Sequence, residues 1–163
     1  MMAGVVDTAV AALTAAGIAA GCAWPKTAVS PGSSFVKVGV ARAGASAGGF
    51  ARYLGVERDP ETGEREVYGL RCDLTLRLDV YAPLSAENAA TACLDLFDAA
   101  ADAIASVPGL RLTALRCGAP APDRETGMFR LEGAAECHAL LVASGAADTG
   151  TFTDFVLRGE LRE

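Results

Sequence analysis

The sequence has few of the residues that build common catalytic and metal centres. It contains one histidine, His138, and five widely spread cysteines without a C-x-x-C pair. A zinc site needs several converging His or Cys ligands, and disulfide frameworks are typical of cysteine-dense secreted chains. No G-x-G-x-x-G, G-K-[ST], G-x-S-x-G or H-E-x-x-H motif occurs. We therefore expect reduced cysteines in a cytosolic protein, no enzyme activity, and no catalytic, metal-binding or cofactor-binding residues.

Clusters of basic residues are also missing. The net charge is −6, and the acidic excess lies in the second half of the chain. Nothing in this pattern would neutralise a row of phosphates, so specific nucleic-acid binding is disfavoured. The apolar stretch at 3–24 is rich in alanine, carries Asp7 and lacks a basic leading region. It predicts neither a secretion signal nor a membrane span.

What the chain does have is enough apolar sequence for a core. With 163 residues, 52% of them hydrophobic, it is expected to form a single domain over 1–163. The N-terminal helix is expected within 1–20, and a sheet with a central helix within 35–160. Apolar residues at helical spacing predict the first helix over 3–16, ending near Gly17; they are Val6, Ala9, Val10 and Leu13.

The clearest strand runs from Glu66 to Tyr81. Apolar residues alternate there with polar ones that include Arg71, Asp73, Arg77 and Asp79. Strict alternation is typical of an antiparallel sheet that is covered on one side only. Upstream, 35–42 predicts another strand. The small residues of 43–55 predict a mobile loop at a partner interface, with Phe50 and Tyr53 as contact candidates.

A second helix follows, with Ser85 predicted as its N-cap. Its expected apolar stripe consists of Ala90, Cys93, Leu94, Phe97, Ala101 and Ile104. Asp95, Asp98 and Asp102 lie on the other side, and no Lys or Arg occurs between Arg77 and Arg111. This acidic edge is either a solvated face or a contact for basic residues of a neighbouring subunit.

Further strands are predicted over 110–117, with a bulge near 114–115, over 128–142 and over 151–159. Together the elements predict an α+β two-layer sandwich. It combines a mostly antiparallel or mixed sheet with two main helices packed on one face.

The frame D-x-E-T-G occurs twice, at 59–63 and at 123–127. It offers carboxylates for an ion, but calcium needs six to eight oxygen ligands and EF-hand spacing is absent. Asp closes turns through nearby backbone amides, and Gly63 and Gly127 supply a left-handed conformation. We interpret both copies as hairpin turns, with Asp123 and Glu125 at an exposed tip that contacts a partner.

His138 is predicted to face outward beside Glu136 and Glu132. This trio keeps open a small cytosolic ligand-binding module or enzyme. A dyad with Cys137 is geometrically poor, because adjacent strand residues point to opposite faces.

The layout resembles the tail-terminator, or tail-completion, proteins of tailed bacteriophages and prophages. The resemblance covers most of 35–160 and lies in "GGFARYLG", "DPETG", "VYGLRCDLTLRLDVYAP", the central helix, "DRETGMFRLEGAAECHALLVA" and "FTDFVLRGE". It implies a mixed sheet flanked by helices and a ring homo-oligomer, commonly a hexamer. Such a ring caps the tail tube and meets the head connector, so the implied location is the virion, after assembly in the bacterial cytoplasm.

Several features agree with that role. The charged face with Arg71 and Arg77 suits a ring wall or lumen, and an acidic lumen would let DNA pass without sticking. The segments 43–55 and 143–151 are long enough to reach neighbours. Another head–tail joining component remains the first alternative.

Overall fold

The computed structural model describes residues 2–23, 32–47, 52–59, 63–143 and 155–158. The elements, in chain order, are α1 (Met2–Ala15), β1 (Ala20–Gly21), β2 (Phe35–Ala47), β3 (Tyr53–Asp59), β4 (Gly63–Pro83), α2 (Ala89–Ala105), β5 (Leu110–Cys117), β6 (Ala121–Asp123), β7 (Met128–Ala143) and β8 (Phe155–Arg158). The strands form one sheet with the order β1-β2-β4-β7-β5, in which β3 pairs with β4, and β6 and β8 pair with β7. Among the described strands, only the β1–β2 pairing is parallel. The predicted α+β fold with a mixed, mostly antiparallel sheet is confirmed.

Both helices pack on the apolar face of the sheet. Val6, Ala9 and Leu13 of α1 join one core cluster with α2 and with the inward residues of β2, β4 and β7. Helix α1 ends as predicted, since Gly17 has φ +79° and the amide of Ile18 donates to the carbonyl of Leu13. A left-handed glycine after the last turn satisfies carbonyls that the helix leaves open.

The alternating strand is longer than predicted, because β4 spans 21 residues. Its inward residues from Cys72 to Val80 are almost completely buried. Arg71 and Asp73 face outward and are exposed, as predicted. Asp79 and Tyr81 are buried on the polar side instead. Tyr81 lies there with Phe35 and Met128 in a second small apolar cluster.

Helix α2 begins later than the sequence predicted. Its N-cap is Asn88, whose side chain accepts a hydrogen bond from the amide of Thr91, and not Ser85. The predicted stripe is largely right, since Cys93, Phe97, Ala101 and Ile104 are buried. Leu94 was assigned wrongly and is 41% exposed. Ala89, Ala100 and Ala103 complete the buried side of the helix instead, and Leu94 lies at its solvent-facing border.

The predicted loop at 43–55 is wrong at both of its ends. Strand β2 continues to Ala47 and pairs with β4 up to Leu70, and β3 already begins at Tyr53. Small residues fit this strand because its far half is exposed on both faces. Phe50 lies outside the described residues, as do 144–151 of the second predicted loop. The bulge in β5 is confirmed by a register shift between Leu112 and Ala114.

Candidate functional site: the polar face of the sheet

The polar face carries more basic than acidic groups. The face considered is that of β2, β4 from Gly69 onward, β7 and β5. Its outward basic residues are Lys37, Arg42, Arg71, Arg77, Arg111, Arg116 and Arg130, and its outward acidic residues are Asp73, Asp79, Glu132 and Glu136. Arg71 is exposed, and the side chain of Arg77 is 50% exposed. Neither arginine lies in the core of the protomer, so the face remains free for a wall or a partner. It does not provide the acidic lining that we expected.

A network of ion pairs covers the end of this face at which Asp79 of β4 lies opposite Glu132 of β7. The buried carboxylate of Asp79 accepts hydrogen bonds from Arg77 Nε at 3.0 Å and from Arg130 Nη2 at 3.1 Å. Arg130 Nη2 also lies 2.7 Å from Glu132 Oε1, and the guanidinium carbon Cζ lies over the Tyr81 ring, 5.9 Å from its centroid. A buried charge needs such partners, because leaving it unpaired is strongly unfavourable. The network therefore stabilises this end of the sheet and fixes its arginines in place.

Sequence inspection missed the role of Arg130. The residue is separated from Asp79 by 51 positions, and only the pairing of β4 with β7 brings the two together. The Nε atom of Arg130 is buried and has no hydrogen-bond partner among the described residues. In the sequence, Arg130 is an arginine at an outward strand position, and this pattern alone does not predict that its side chain is partly buried beside Tyr81.

A shallow groove crosses the other end of the polar face. It encloses ≈ 330 Å³, and its walls include Arg42, Asp73, Thr75, Thr113, Glu136 and His138. His138 Nδ1 lies 2.6 Å from Asp73 Oδ1, while Glu136 pairs with Arg116 at 2.9 Å. The groove brings together two members of the predicted trio. Glu132 belongs to the ion-pair network, about 13 Å along β7 from Glu136 and about 20 Å from His138 at the usual rise per strand residue.

The chemistry of the groove is that of an oriented imidazole. A carboxylate at hydrogen-bond distance fixes the orientation of the ring. Cys137 points to the core, and burial raises the pKa of its thiol to about 11. A protonated, buried thiol is a poor nucleophile, which agrees with our expectation that Cys137 and His138 form no dyad. In the described ranges, no three His, Cys, Asp or Glu side chains are grouped so as to hold a metal ion.

The structure describes the whole second D-x-E-T-G frame, and Asp59 and Gly63 of the first. Asp59 pairs with Gly63, which has φ +85°, and β3 and β4 meet there. In the second copy, Asp123 accepts hydrogen bonds from the Glu125 amide at 3.2 Å and from Thr126 Oγ1 at 2.7 Å. The Thr126 hydroxyl is the main reason why the pKa of Asp123 is lowered. The carboxylate is thus occupied by its own turn, and the turn interpretation is confirmed for 123–127.

The hairpin of β3 and β4 extends beyond the rest of the sheet. Strand β4 pairs with β7 only from Gly69 onward and with β2 only from Leu70 onward. We call the part over 53–59 and 63–68 the β-arm. Tyr53 and Val56 are 40% and 46% exposed on it, and Tyr53 meets Tyr68 edge to face at 5.7 Å. Tyr53 is therefore accessible, and its role as a contact residue stays a prediction.

The acidic edge of α2 lies on the opposite layer. Asp95, Asp98 and Asp102 are all exposed, and none forms an ion pair with a described residue. Among the described residues, the surface of α2 is therefore acidic, whereas the polar face of the sheet is not.

Comparisons with known proteins add no assignment. No described helix has the length and apolar character needed to cross a membrane. No protein-family model matches the chain, and no curated protein matches its sequence.

Proposed function

We propose that the protein is a structural component of a tailed-phage virion, a tail terminator that assembles into a ring. In this proposal the ring caps the finished tail tube, meets the head connector and lets DNA pass through its lumen. Its partners are further copies of the same chain, the tube protein and a neck protein. It needs no cofactor and carries out no reaction.

The observation that carries the proposal is the β-arm. An isolated two-stranded hairpin is marginally stable in water, and this one exposes Tyr53 and Val56. Aromatic residues are enriched at protein–protein interfaces, where a large rigid ring is buried at low entropy cost. An extended arm with accessible apolar side chains thus fits a chain that completes its packing against a partner subunit.

The distribution of charge supports an orientation of the subunit in the ring. Like charges repel, so a lumen that lets DNA pass favours an acidic lining. The helical surface, with Asp95, Asp98 and Asp102, is the acidic one, whereas the sheet face is mixed and net basic. We therefore assign the helical surface to the lumen and the sheet face to a protein partner.

The test is the mass and shape of the purified full-length chain in solution. We expect discrete closed rings of roughly six copies in native mass measurements and negative-stain images, since closed cyclic symmetry is the common form of homo-oligomers. A monomer that persists at the highest concentration reached would contradict the proposal. Co-sedimentation separates the two phage roles, because a terminator binds tail-tube ends and a connector component binds portal or adaptor rings.

The groove gives a second candidate function from a different class. Asp73 and His138, at 2.6 Å, can bind a small polar molecule between β2 and β5. If a monomeric chain binds a small molecule, and His138→Ala abolishes that binding while Asp95→Ala does not, the protein is a ligand-binding module or enzyme.

A further inference from the structure

The sheet ends in two strands with open edges. Strand β1 covers β2 only at Val36 and Lys37, and no described strand pairs with β2 on that side beyond them. The outer side of β5 likewise has no strand partner in the described part of the chain. Open edges present rows of unpaired N–H and C=O groups, which serve as templates for pairing with another chain.

The two open edges lie at the same height of the sheet. Following the pairs across it, Leu115 is level with Ala135, Leu76 and Val40. At one end Cys117 is level with Val38, and at the other Leu110 is level with Ala45. All of β5 therefore has a counterpart on the open part of β2.

The row of paired residues that runs across the sheet through Leu76 and Ala135 ends in an exposed apolar residue at each edge. Val40 and Leu115 are 37% and 42% exposed, and both belong to the inward-facing set of their strands. A single exposed apolar side chain is ordinary. Two such residues in one row, on the same face and at opposite edges, form complementary halves of a contact.

The direction of the strands allows the two edges to join. β2 is antiparallel to β4, β4 to β7, and β7 to β5, so β2 and β5 run in opposite directions. A second copy in the same orientation can therefore place its β2 antiparallel beside β5. The helical layers of the two copies then lie on the same side of one continuous sheet.

We propose that β5 of one copy pairs with β2 of the next copy, with Leu115 facing Val40. The contact is head to tail, so each copy keeps one open edge until a closing rotation forms a ring. This inference rests on the proposed function, since it defines the subunit contact of the ring.

The polar face accommodates the same register. Arg111 is level with Gly44, and Arg116 is level with Gly39. A glycine opposite each arginine leaves space for the long side chain. Arg42 is level with Ala114, so no two basic residues stand directly opposite each other, an arrangement that would be unfavourable.

Engineered disulfides test the register directly. Residues opposite each other in an antiparallel pair have Cα atoms about 4.5–5.5 Å apart, within the range of a disulfide. The exposed Cys22 and Cys117 are first replaced by Ser. In that background, the double variant V40C/L115C is expected to give a ladder of cross-linked oligomers after oxidation. Each single variant alone should give none, and a mixture of the two single variants should give dimers only.

A disruption variant separates this contact from the ring itself. Leu115→Lys should raise the concentration for half-assembly by at least about tenfold, because the buried contact is lost and a charge is introduced. Leu84→Lys is the control, since Leu84 is 53% exposed and lies outside both edges. Circular dichroism and a thermal melt confirm that both variants remain folded.

The outcomes distinguish the two hypotheses. Rings that persist in Leu115→Lys, without cross-links in V40C/L115C, would overturn the edge pairing and leave the ring intact. Cross-linked dimers of L115C alone would show an isologous β5–β5 contact and also overturn it. A wild-type chain that stays monomeric would overturn both this inference and the proposed function.

Discussion

Gly133 is the position at which the packing of α2 on the sheet can be tested most sharply. It lies in β7, directly beneath the ring of Phe97. A Cβ added to Gly133 would overlap Phe97 Cε2 and approach Phe97 Cδ2 to 2.9 Å and the Leu78 carbonyl oxygen to 3.2 Å. Phe97 is 4% exposed, so a shift of its ring would disturb the surrounding core.

The expected cost follows from two opposing effects. Overpacking of a core costs about 1–3 kcal/mol. Replacing glycine by alanine in a permitted conformation stabilises by about 0.4–1 kcal/mol through the unfolded state. We therefore expect Gly133→Ala to lower the free energy of unfolding by about 1–2 kcal/mol. Gly44→Ala is the control, since an added Cβ at this β2 position meets nothing within 4 Å.

A double-mutant cycle with Phe97→Ala isolates the contact. Phe97→Ala alone should cost about 3–5 kcal/mol. In that background the clash is gone, so Gly133→Ala should become neutral or slightly stabilising, with a coupling of about 2 kcal/mol. Denaturant unfolding at fixed protein concentration measures each term. The reasoning is refuted if Gly133→Ala costs the same with and without the Phe97 ring, or if it behaves like Gly44→Ala.

Three further predictions concern the turn, the polar network and the core thiols. Asp123→Ala should lower the free energy of unfolding by about 1 kcal/mol through its lost turn hydrogen bonds, and Glu125→Ala by less than half of that; equal losses in urea unfolding would contradict the turn role. Asp79→Ala should cost about 3 kcal/mol because it leaves two arginines without their shared carboxylate, whereas exposed Asp73→Ala should cost under about 1 kcal/mol; similar thermal shifts would refute the burial argument. Burial raises the pKa of Cys137 from 9.0 to about 11, so the thiol ionises first in the unfolded chain, and the free energy of unfolding falls by up to about 2–3 kcal/mol as the pH rises through this window. Thermal melts of Cys137→Ala should lose less stability over the same pH range, and an unchanged dependence of stability on pH would contradict the burial argument.

Much of the fold could be predicted because its signals are local. The alternation over 66–81 predicted β4, and the period of Val6, Ala9 and Leu13 predicted α1. The bulge in β5 also left a visible break in the pattern. Each of these features depends on neighbours within a few positions, where strand and helix periods act directly.

The errors arose where a local signal had two solutions. Ser85 and Asn88 both suit an N-cap, but Ser85 lies within a turn that the Ala86 amide closes on the Pro83 carbonyl, and α2 starts after Asn88. The small residues of 43–47 predict a loop by local propensity, but strand propensity depends on the neighbouring strand, and here β4 supplies the pairing. Leu94 matched the apolar period, but the helix turns it away from the sheet.

The sequence by itself determined most of the longer elements, their amphipathic faces and the glycine-closed turn at 123–127, because these follow from backbone geometry within short segments. Only the tertiary structure decided which groups meet over long separations. It placed Asp79 beside Arg130, 51 positions apart, and Asp73 beside His138, 65 positions apart. It also set the row that ends in Val40 and Leu115. Strand order and register fix these contacts, and they depend on the shared burial of many apolar side chains, which no single segment encodes.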